Sequence, residues 1–178
     1  TLYYDHHKLG FKRQAQLITQ VRDINVYDLF LRTPQLTDGD TTFLTVYALH
    51  LKAGTTESDR QSRLTMVNVL RSHLAGLPAG RSVIVAGDMN LYSGQEPAFT
   101  ALLQPAGAIT LQDPLDLGDV DWAYQSSFAS IYTQSTRTSS LFGEGSGGGI
   151  DDRFDVALLS SDLLAPSAPV RLVEGSYR

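Results

Sequence analysis

A short apolar run preceded by a long helical pattern is the feature that most constrains this chain. Residues 83–86 read Val-Ile-Val-Ala, a composition typical of a strand that is buried on both faces. Residues 56–75 carry apolar side chains at helical spacing, with Thr56 and Asp59 as a capping box at the start. A strand covered on both sides needs further layers, so the pattern predicts a layered α+β fold.

The other predicted strands, helices and loops have weaker sequence patterns. Strands are predicted for residues 25–32, 41–51, 126–132, 136–142, 153–160 and 170–173, with a short β-like run at 1–4 and a second helix at 96–103. A turn through Pro34 and residues 38–40 makes the first two strands a hairpin, and residues 113–121 and 143–149 are predicted loops. The length of 178 residues predicts a single domain over 1–178.

Composition excludes several kinds of site. The chain has no cysteine, so any metal must be held by oxygen or imidazole ligands. No apolar run approaches the roughly 20 residues that span a bilayer. The net charge of -5 argues against a sequence-blind nucleic-acid binder. The charge is +3 over residues 1–81 and -8 over 82–178, so a metal or carboxylate site is expected in the second half, with a solvated acidic surface as the alternative.

Four polar side chains follow or open predicted strands. They are His50, Asp88, Asn90 and Asp155. A carboxylate can accept a proton from water or hold a divalent ion, and an amide N–H can donate to a phosphoryl oxygen. A histidine can carry a proton near neutral pH, and a second carboxylate can orient it. Each residue alone could be structural, but their shared position at strand ends predicts a phosphate site.

Within this pattern, residues 83–90 resemble the Gly-Asp-(Phe/Leu)-Asn strand of the endonuclease/exonuclease/phosphatase superfamily, which includes pancreatic deoxyribonuclease. Arg153 to Asp155 resembles its Arg-(Ile/Phe)-Asp strand, and His50 resembles its histidine ahead of the helix. The resemblance covers most of the chain. The stretch 50–54, followed by Arg60, resembles a bacterial and often exported branch, which implies a bacterial, secreted or periplasmic protein.

The resemblance implies a four-layer α/β/β/α sandwich with two mixed β-sheets face to face, and hydrolysis of phosphodiesters that depends on Mg²⁺ (or Mn²⁺ or Ca²⁺). It implies that Asp88 activates the water and Asn90 orients the phosphate, both also serving as weak metal ligands. It further implies that His50 contacts the phosphate or protonates the leaving oxygen, and that Asp155 positions a second histidine. The implied partner is a phosphate-ester substrate, with nucleic acid among the candidates.

Several other residues are weaker candidates. Lys52, Arg60 and Arg137 are predicted phosphate contacts, and Arg63 is a further candidate for the phosphate groove, although arginines on an exposed helix face are usually solvated. We expect solvated positions for His6, His7, His73, Asp151 and Asp152. Trp122 and Tyr124 are expected either at the rim of the cleft or in the core.

The chain departs from the family pattern at both ends, because a strand ending in a metal-binding Glu and a terminal Ser-Asp-His are both missing. Gln95-Glu96 opens a helix, and Ser161-Asp162 is followed by Leu163 instead of His, so neither substitutes for them. We therefore expect a partial domain that binds metal weakly and whose exposed sheet edges could pair with another chain. Two alternatives stay open: a phosphatase or sphingomyelinase-like hydrolase of the same superfamily, and an inactive binding module.

Overall fold

The computed structural model describes residues 2–33, 41–137 and 148–177. Its strands are β1 Leu9–Leu17, β2 Ile24–Leu31, β3 Phe43–His50, β4 Ser82–Asp88, β5 Leu111–Gln112 and β6 Asp155–Ser160. Its α-helices are α1 Glu57–Ala75 and α2 Pro97–Leu103, and two 3₁₀ helices span Ser126–Ile131 and Ser161–Leu164.

The six strands form one mixed sheet in the order β1-β2-β3-β4-β6-β5. Strands β3 and β4 are parallel and are joined by α1, whereas the other neighbours pair antiparallel. The crossover places the carboxyl ends of β3 and β4 at the same edge of the sheet. Because β6 runs antiparallel to β4, its first residue lies at that edge too.

Helix α1 forms where its capping pattern predicts. The Thr56 hydroxyl accepts a hydrogen bond from the backbone N–H of Asp59, and the Asp59 carboxylate accepts one from the N–H of Thr56. This capping box satisfies two of the N–H groups that a helix start leaves unpaired. Buried side chains of α1, among them Val67 and Leu70, then pack the helix on the sheet.

The sheet is apolar on both faces. Val83 and Val85 of β4 point towards α1 and α2, in a core cluster that also holds Trp122. The opposite face carries a second cluster, centred on residues of β2, β3 and β6 such as Leu29, which side chains from the described terminal segments partly cover. The run at residues 83–86 is therefore fully buried on the helix side, at Val83 and Val85, whereas Ile84 and Ala86 on the other side are only partly buried, so the predicted burial on both faces is confirmed in part.

The structure confirms the α+β class, the β2–β3 hairpin, both helices, and the strands at β4 and β6. The expected strand at 1–4 is wrong, because residues 2–4 are irregular and the first strand is β1 at Leu9–Leu17. Residues 126–132 were expected to be a strand, but Ser126–Ile131 is a 3₁₀ helix without a buried side chain. The strand expected at 170–173 is irregular as well.

Some expectations fall on residues outside the described ranges. They concern the turn at 34–40, the strand at 136–142 beyond residue 137, and most of the loop at 143–149. Within residues 2–33, 41–137 and 148–177, both α-helices pack on the same face of a single sheet. The described residues thus contain one mixed sheet and one helical layer of the four-layer arrangement that the resemblance implies.

Candidate active site

Three of the predicted side chains lie side by side at one edge of the sheet. In the register of the strands, His50 of β3 is paired with Asp88 of β4, and Asp88 is paired with Asp155 of β6. Residues paired directly across neighbouring strands project on the same face. By the alternation along β4, Asp88 shares that face with Ile84 and lies opposite the helices.

His50 and Asp88 are in direct electrostatic contact. The Nε2 atom of His50 lies 3.4 Å from Oδ2 of Asp88. The two side chains are 48% and 36% exposed, respectively, so both can meet water or a ligand. The pair therefore combines a proton carrier with a carboxylate at a position open to solvent.

The Gly-Asp-x-Asn turn shapes the other side of Asp88. Gly87 has a φ of 144°, and a Cβ placed there would lie 2.0 Å from the Leu49 carbonyl oxygen, so only glycine fits between the strands. The backbone N–H of Asn90 donates to Oδ1 of Asp88 at 3.0 Å. The buried Asn90 side chain donates through Nδ2 to the carbonyl of Leu51 at 3.2 Å. Asn90 thus fixes the Asp88 carboxylate and ties β4 to the segment after His50.

The surroundings of Asp88 adjust its protonation. Burial raises the pKa of its carboxyl above the ordinary value, and the neighbouring charge of Asp155 acts in the same direction. The His50 ring, the Asn90 N–H and the guanidinium of Arg22 oppose that rise in pKa. A carboxyl whose pKa is raised is a stronger proton acceptor once ionised, which is the property that a general base needs.

Asp155 is exposed and is held by its backbone. Its N–H donates to the hydroxyl of Thr133 at 2.8 Å, and the carbonyl of the preceding Phe154 accepts the N–H of Met89 at 2.7 Å. The predicted role for Asp155 is to position a second histidine. Within the described residues, His73 lies on α1 and contacts the Tyr47 hydroxyl at 2.7 Å, on the helix-covered face. The role of Asp155 stays a prediction.

Arg22 is a candidate that the sequence did not reveal. It lies in the turn between β1 and β2, and its Nη1 donates to the carbonyl of Leu51 at 3.1 Å, the same oxygen that accepts the Asn90 amide. Its charge is one of the influences that lower the pKa of Asp88. An exposed arginine close enough to influence Asp88 is suited to hold a phosphate oxygen.

The predicted phosphate contacts are less closely connected with this edge. Lys52 forms an ion pair with Asp59 of α1 at 2.7 Å and helps to lower the pKa of that carboxyl to about 2. Arg60 lies 3.7 Å from Glu57 on the exposed face of α1. Arg137 donates to the Ser135 hydroxyl at 3.4 Å. Arg63, by contrast, is buried and pairs with Glu96.

Three expectations about side-chain position are corrected. Arg63, expected in the phosphate groove or solvated on a helix face, is fully buried because it pairs with Glu96. Asp152 was expected in solvent, but it is 1% exposed, because the loop preceding β6 folds it against Trp122 and α2. His73 is half-buried through its contact with Tyr47. Trp122 packs in the core, while Tyr124, two residues later, is 74% exposed.

The residues at this edge do not form a metal site by themselves. Oδ2 of Asp88 faces His50, its Oδ1 accepts the Asn90 N–H, and the Asn90 amide is bonded to Leu51. In the part of the chain that the structure describes, no three His, Cys, Asp or Glu side chains are grouped so as to hold a metal ion. A hard cation takes about six oxygen ligands, so the Mg²⁺ implied by the resemblance has an incomplete donor set here.

Comparison with known proteins identifies the fold. No family model and no curated protein matches the chain. Among solved structures, TDP2 from D. rerio complexed with a single-strand DNA product matches with a TM-score of 0.52 and 18% identity, covering 90% of this chain and 56% of that one. SmcL matches with a TM-score of 0.55 and 12% identity, covering 89% and 52%. The chain has the DNase I-like fold.

This fold is the one that the resemblance implies, so that expectation is confirmed. Truncated TDP2 from Caenorhabditis elegans gives the same result, with a TM-score of 0.50, 17% identity, and 86% and 53% of the two chains covered. The chain spans about half the length of these structures. None of the described helices is both long enough and apolar enough to cross a membrane.

Proposed function

We propose that this protein hydrolyses phosphate esters, phosphodiesters in particular, with a water activated at the edge formed by His50, Asp88 and Asp155. The observation that carries the proposal is the pairing of these three ionisable side chains at one register of the sheet. The DNase I-like fold supports it, as does the single-strand DNA product bound by D. rerio TDP2. Dependence on a divalent cation is part of the proposal.

Asp88 is the proposed general base. Its carboxylate is partly exposed, so a water can approach it, and Asn90 holds one of its oxygens in place. The water gives a proton to Asp88 as its oxygen attacks phosphorus. Burial raises the pKa of Asp88, so the carboxylate accepts this proton more readily than a fully solvated one.

His50 is the proposed acid that protonates the leaving oxygen. Its Nε2 lies 3.4 Å from the Asp88 carboxylate, so the proton taken from water can return through the ring in the next cycle. Arg22 is proposed to bind a non-bridging phosphate oxygen, with its Nη1 held by Leu51. The predicted contacts Lys52, Arg60 and Arg137 would bind phosphates further from the reacting one.

Substitution of Asp88 by Asn tests the mechanism. Asn has nearly the same size but can neither accept the proton nor neutralise a cation, so we expect the rate to fall by about a hundredfold to ten-thousandfold while the melting temperature is kept. The assay follows cleavage of plasmid DNA and of bis-(p-nitrophenyl) phosphate with Mg²⁺ or Mn²⁺. Asp119→Asn, at an exposed carboxyl in the loop before Trp122, is the matched control.

The outcomes separate the open alternatives. Equal rates for the wild-type protein and Asp88→Asn would show the mechanism to be wrong. Cleavage of p-nitrophenyl phosphate alone would indicate a phosphatase, and release of phosphocholine from sphingomyelin a lipid hydrolase. Binding of an oligonucleotide without cleavage of any substrate would indicate a binding module.

A further inference from the structure

Asp152 is a buried carboxyl with an unsatisfied oxygen. Asp152 is 1% exposed, and its Oδ1 accepts a hydrogen bond from the backbone N–H of Arg153 at 2.8 Å. Oδ2 has no hydrogen-bond partner within the described ranges 2–33, 41–137 and 148–177. A buried carboxylate that lacks a partner is costly, whereas the neutral carboxylic acid is far less so.

The charged groups around Asp152 do not compensate for it. Burial raises the pKa of Asp152 to about 6, and the carboxylates of Asp151 and Glu96 raise it too, whereas the Arg153 N–H and the Trp122 indole N–H, which donates to the Leu91 carbonyl at 3.3 Å, oppose the rise. Burial, and after it the Asp152 charge, raises the pKa of the Tyr92 hydroxyl.

The two nearby guanidinium groups are already paired with other carboxylates. Arg153 binds Asp113 through both terminal nitrogens, at 2.6 and 2.9 Å, and Arg63 binds Glu96. Nη2 of Arg63 is left without a hydrogen-bond partner within the described residues, but both arginine side chains are at most 1% exposed, so neither guanidinium can reorient towards Asp152 without unpacking. Ionised Asp152 would therefore stay without a cation as long as this region is closed.

Asp152 is also linked to the proposed active site through the backbone. Its carbonyl accepts the N–H of Thr133 at 3.2 Å, and the Thr133 hydroxyl accepts the N–H of Asp155 at 2.8 Å. Thr133 is thus hydrogen-bonded to both ends of the segment 152–155. Inside the segment, the Phe154 carbonyl accepts the N–H of Met89, the residue after Asp88.

We propose that Asp152 is a positioning residue for Asp155, which holds the segment 152–155 closed against Thr133 when its carboxyl is protonated and favours opening of the segment when it is ionised. Opening lets water hydrogen-bond to the carboxylate, which removes the free-energy cost of the buried, unpaired Oδ2. The consequence for catalysis rests on the proposed function, whereas the opening itself is a property of the folded chain.

The expected size of the pH effect on opening follows from the shift in the pKa of Asp152. The pKa of Asp152 moves from 3.8 to about 6 in the closed state, and we take 3.8 for the open, solvated state. Each unit is a tenfold change in the equilibrium between two states, so the ratio of open to closed should rise about a hundredfold from below pH 4 to above pH 6. Since the closed state has the higher pKa, it gains stability at low pH and loses it as the pH rises.

Amide hydrogen exchange tests this without substrate. The exchange rate of the Asp155 amide, corrected for the intrinsic rate at each pH, should rise about fiftyfold in the wild-type protein between pH 4 and pH 7, because the open state is already partly ionised at pH 4. In Asp152→Asn it should stay level, because Asn is neutral throughout and keeps the acceptor for the Arg153 N–H. Asp151→Asn removes the same charge one residue earlier but leaves Asp152 able to ionise, so the exchange rate should still rise with pH, by less than in the wild-type protein because the Asp151 charge contributes to the raised pKa of Asp152. Central amides of β4 report on global unfolding.

A corrected exchange rate that does not change with pH in the wild-type protein, or that rises equally in Asp152→Asn, would overturn the proposal. In hydrolysis assays, the ratio of kcat/KM for Asp152→Asn to that of the wild-type protein should change around pH 6, and a constant ratio would show that the opening does not reach Asp155. If neither protein hydrolyses any ester, the proposed function fails, while the exchange result still decides the role of Asp152.

Discussion

The charged residues of this protein fall into two regions that differ in how their charges are used. In the interior, Arg63 and Glu96 are 0% and 4% exposed and bind each other, joining α1 to the start of α2. At the edge of the sheet, His50 and Asp88 are 3.4 Å apart and open to solvent. The interior pair is committed to structure, whereas the edge groups can still exchange protons and bind ligands. Exposure to solvent, more than charge itself, therefore distinguishes the candidate site from the structural pair.

The largest effect on stability is expected from breaking the interior pair. Glu96→Ala leaves the buried Arg63 guanidinium without its carboxylate, and loss of one partner of a buried pair costs about 3–5 kcal/mol. Denaturant unfolding should show a drop of that size in the free energy of unfolding. Glu57→Ala, which removes the exposed pair with Arg60, is the control and should cost less than about 1 kcal/mol. Equal losses for both variants would remove the distinction between the two regions.

At the edge, a substitution should change activity more than stability. Arg22→Ala removes the donor proposed for the phosphate, and hydrogen bonds to charged groups contribute about 1.5–3 kcal/mol, so we expect kcat/KM to fall about tenfold to a hundredfold. Its melting temperature should stay within a few degrees of the wild type. Arg32→Ala removes an equal charge from an exposed position just after β2, at the opposite edge of the sheet from His50, and serves as control. A similar loss of kcat/KM in both variants would indicate that general charge, and not the position of Arg22, assists binding.

The two regions also differ in how far the sequence predicts them. His50, Asp88 and Asp155 each terminate or open a strand of regular apolar pattern, so local periodicity is sufficient to place them at a sheet edge. Arg22 was missed because β1 is an edge strand with mostly exposed residues, which leaves no alternation to recognise. The turn that carries Arg22 cannot be inferred unless that strand is recognised.

Asp152 shows why burial is harder to predict. Asp151 and Asp152 follow a glycine-rich stretch, and such a composition is typical of a solvated loop. The burial of Asp152 depends on Trp122 and Glu96, which lie 30 and 56 residues earlier in the chain. The same limit explains residues 126–132 and 170–173, where a β-like composition is paired with no strand among the described residues, and the segments are 3₁₀ or irregular. Local pattern thus identifies the strand ends, and tertiary packing decides which charges stay accessible.

The smallest effect is expected from addition of Mg²⁺ to this chain. Mg²⁺ keeps most of its waters and needs one or two well-placed carboxylates, while both oxygens of Asp88 already face protein groups. Titration calorimetry should therefore give only weak, millimolar binding, and Asp88→Asn should reduce the heat further. The interior pair is a useful contrast, since Glu96 is bound to Arg63 and should contribute nothing to cation binding. Micromolar affinity for Mg²⁺ would contradict this argument, because it would require a more complete set of oxygen ligands than Asp88 and Asn90 provide.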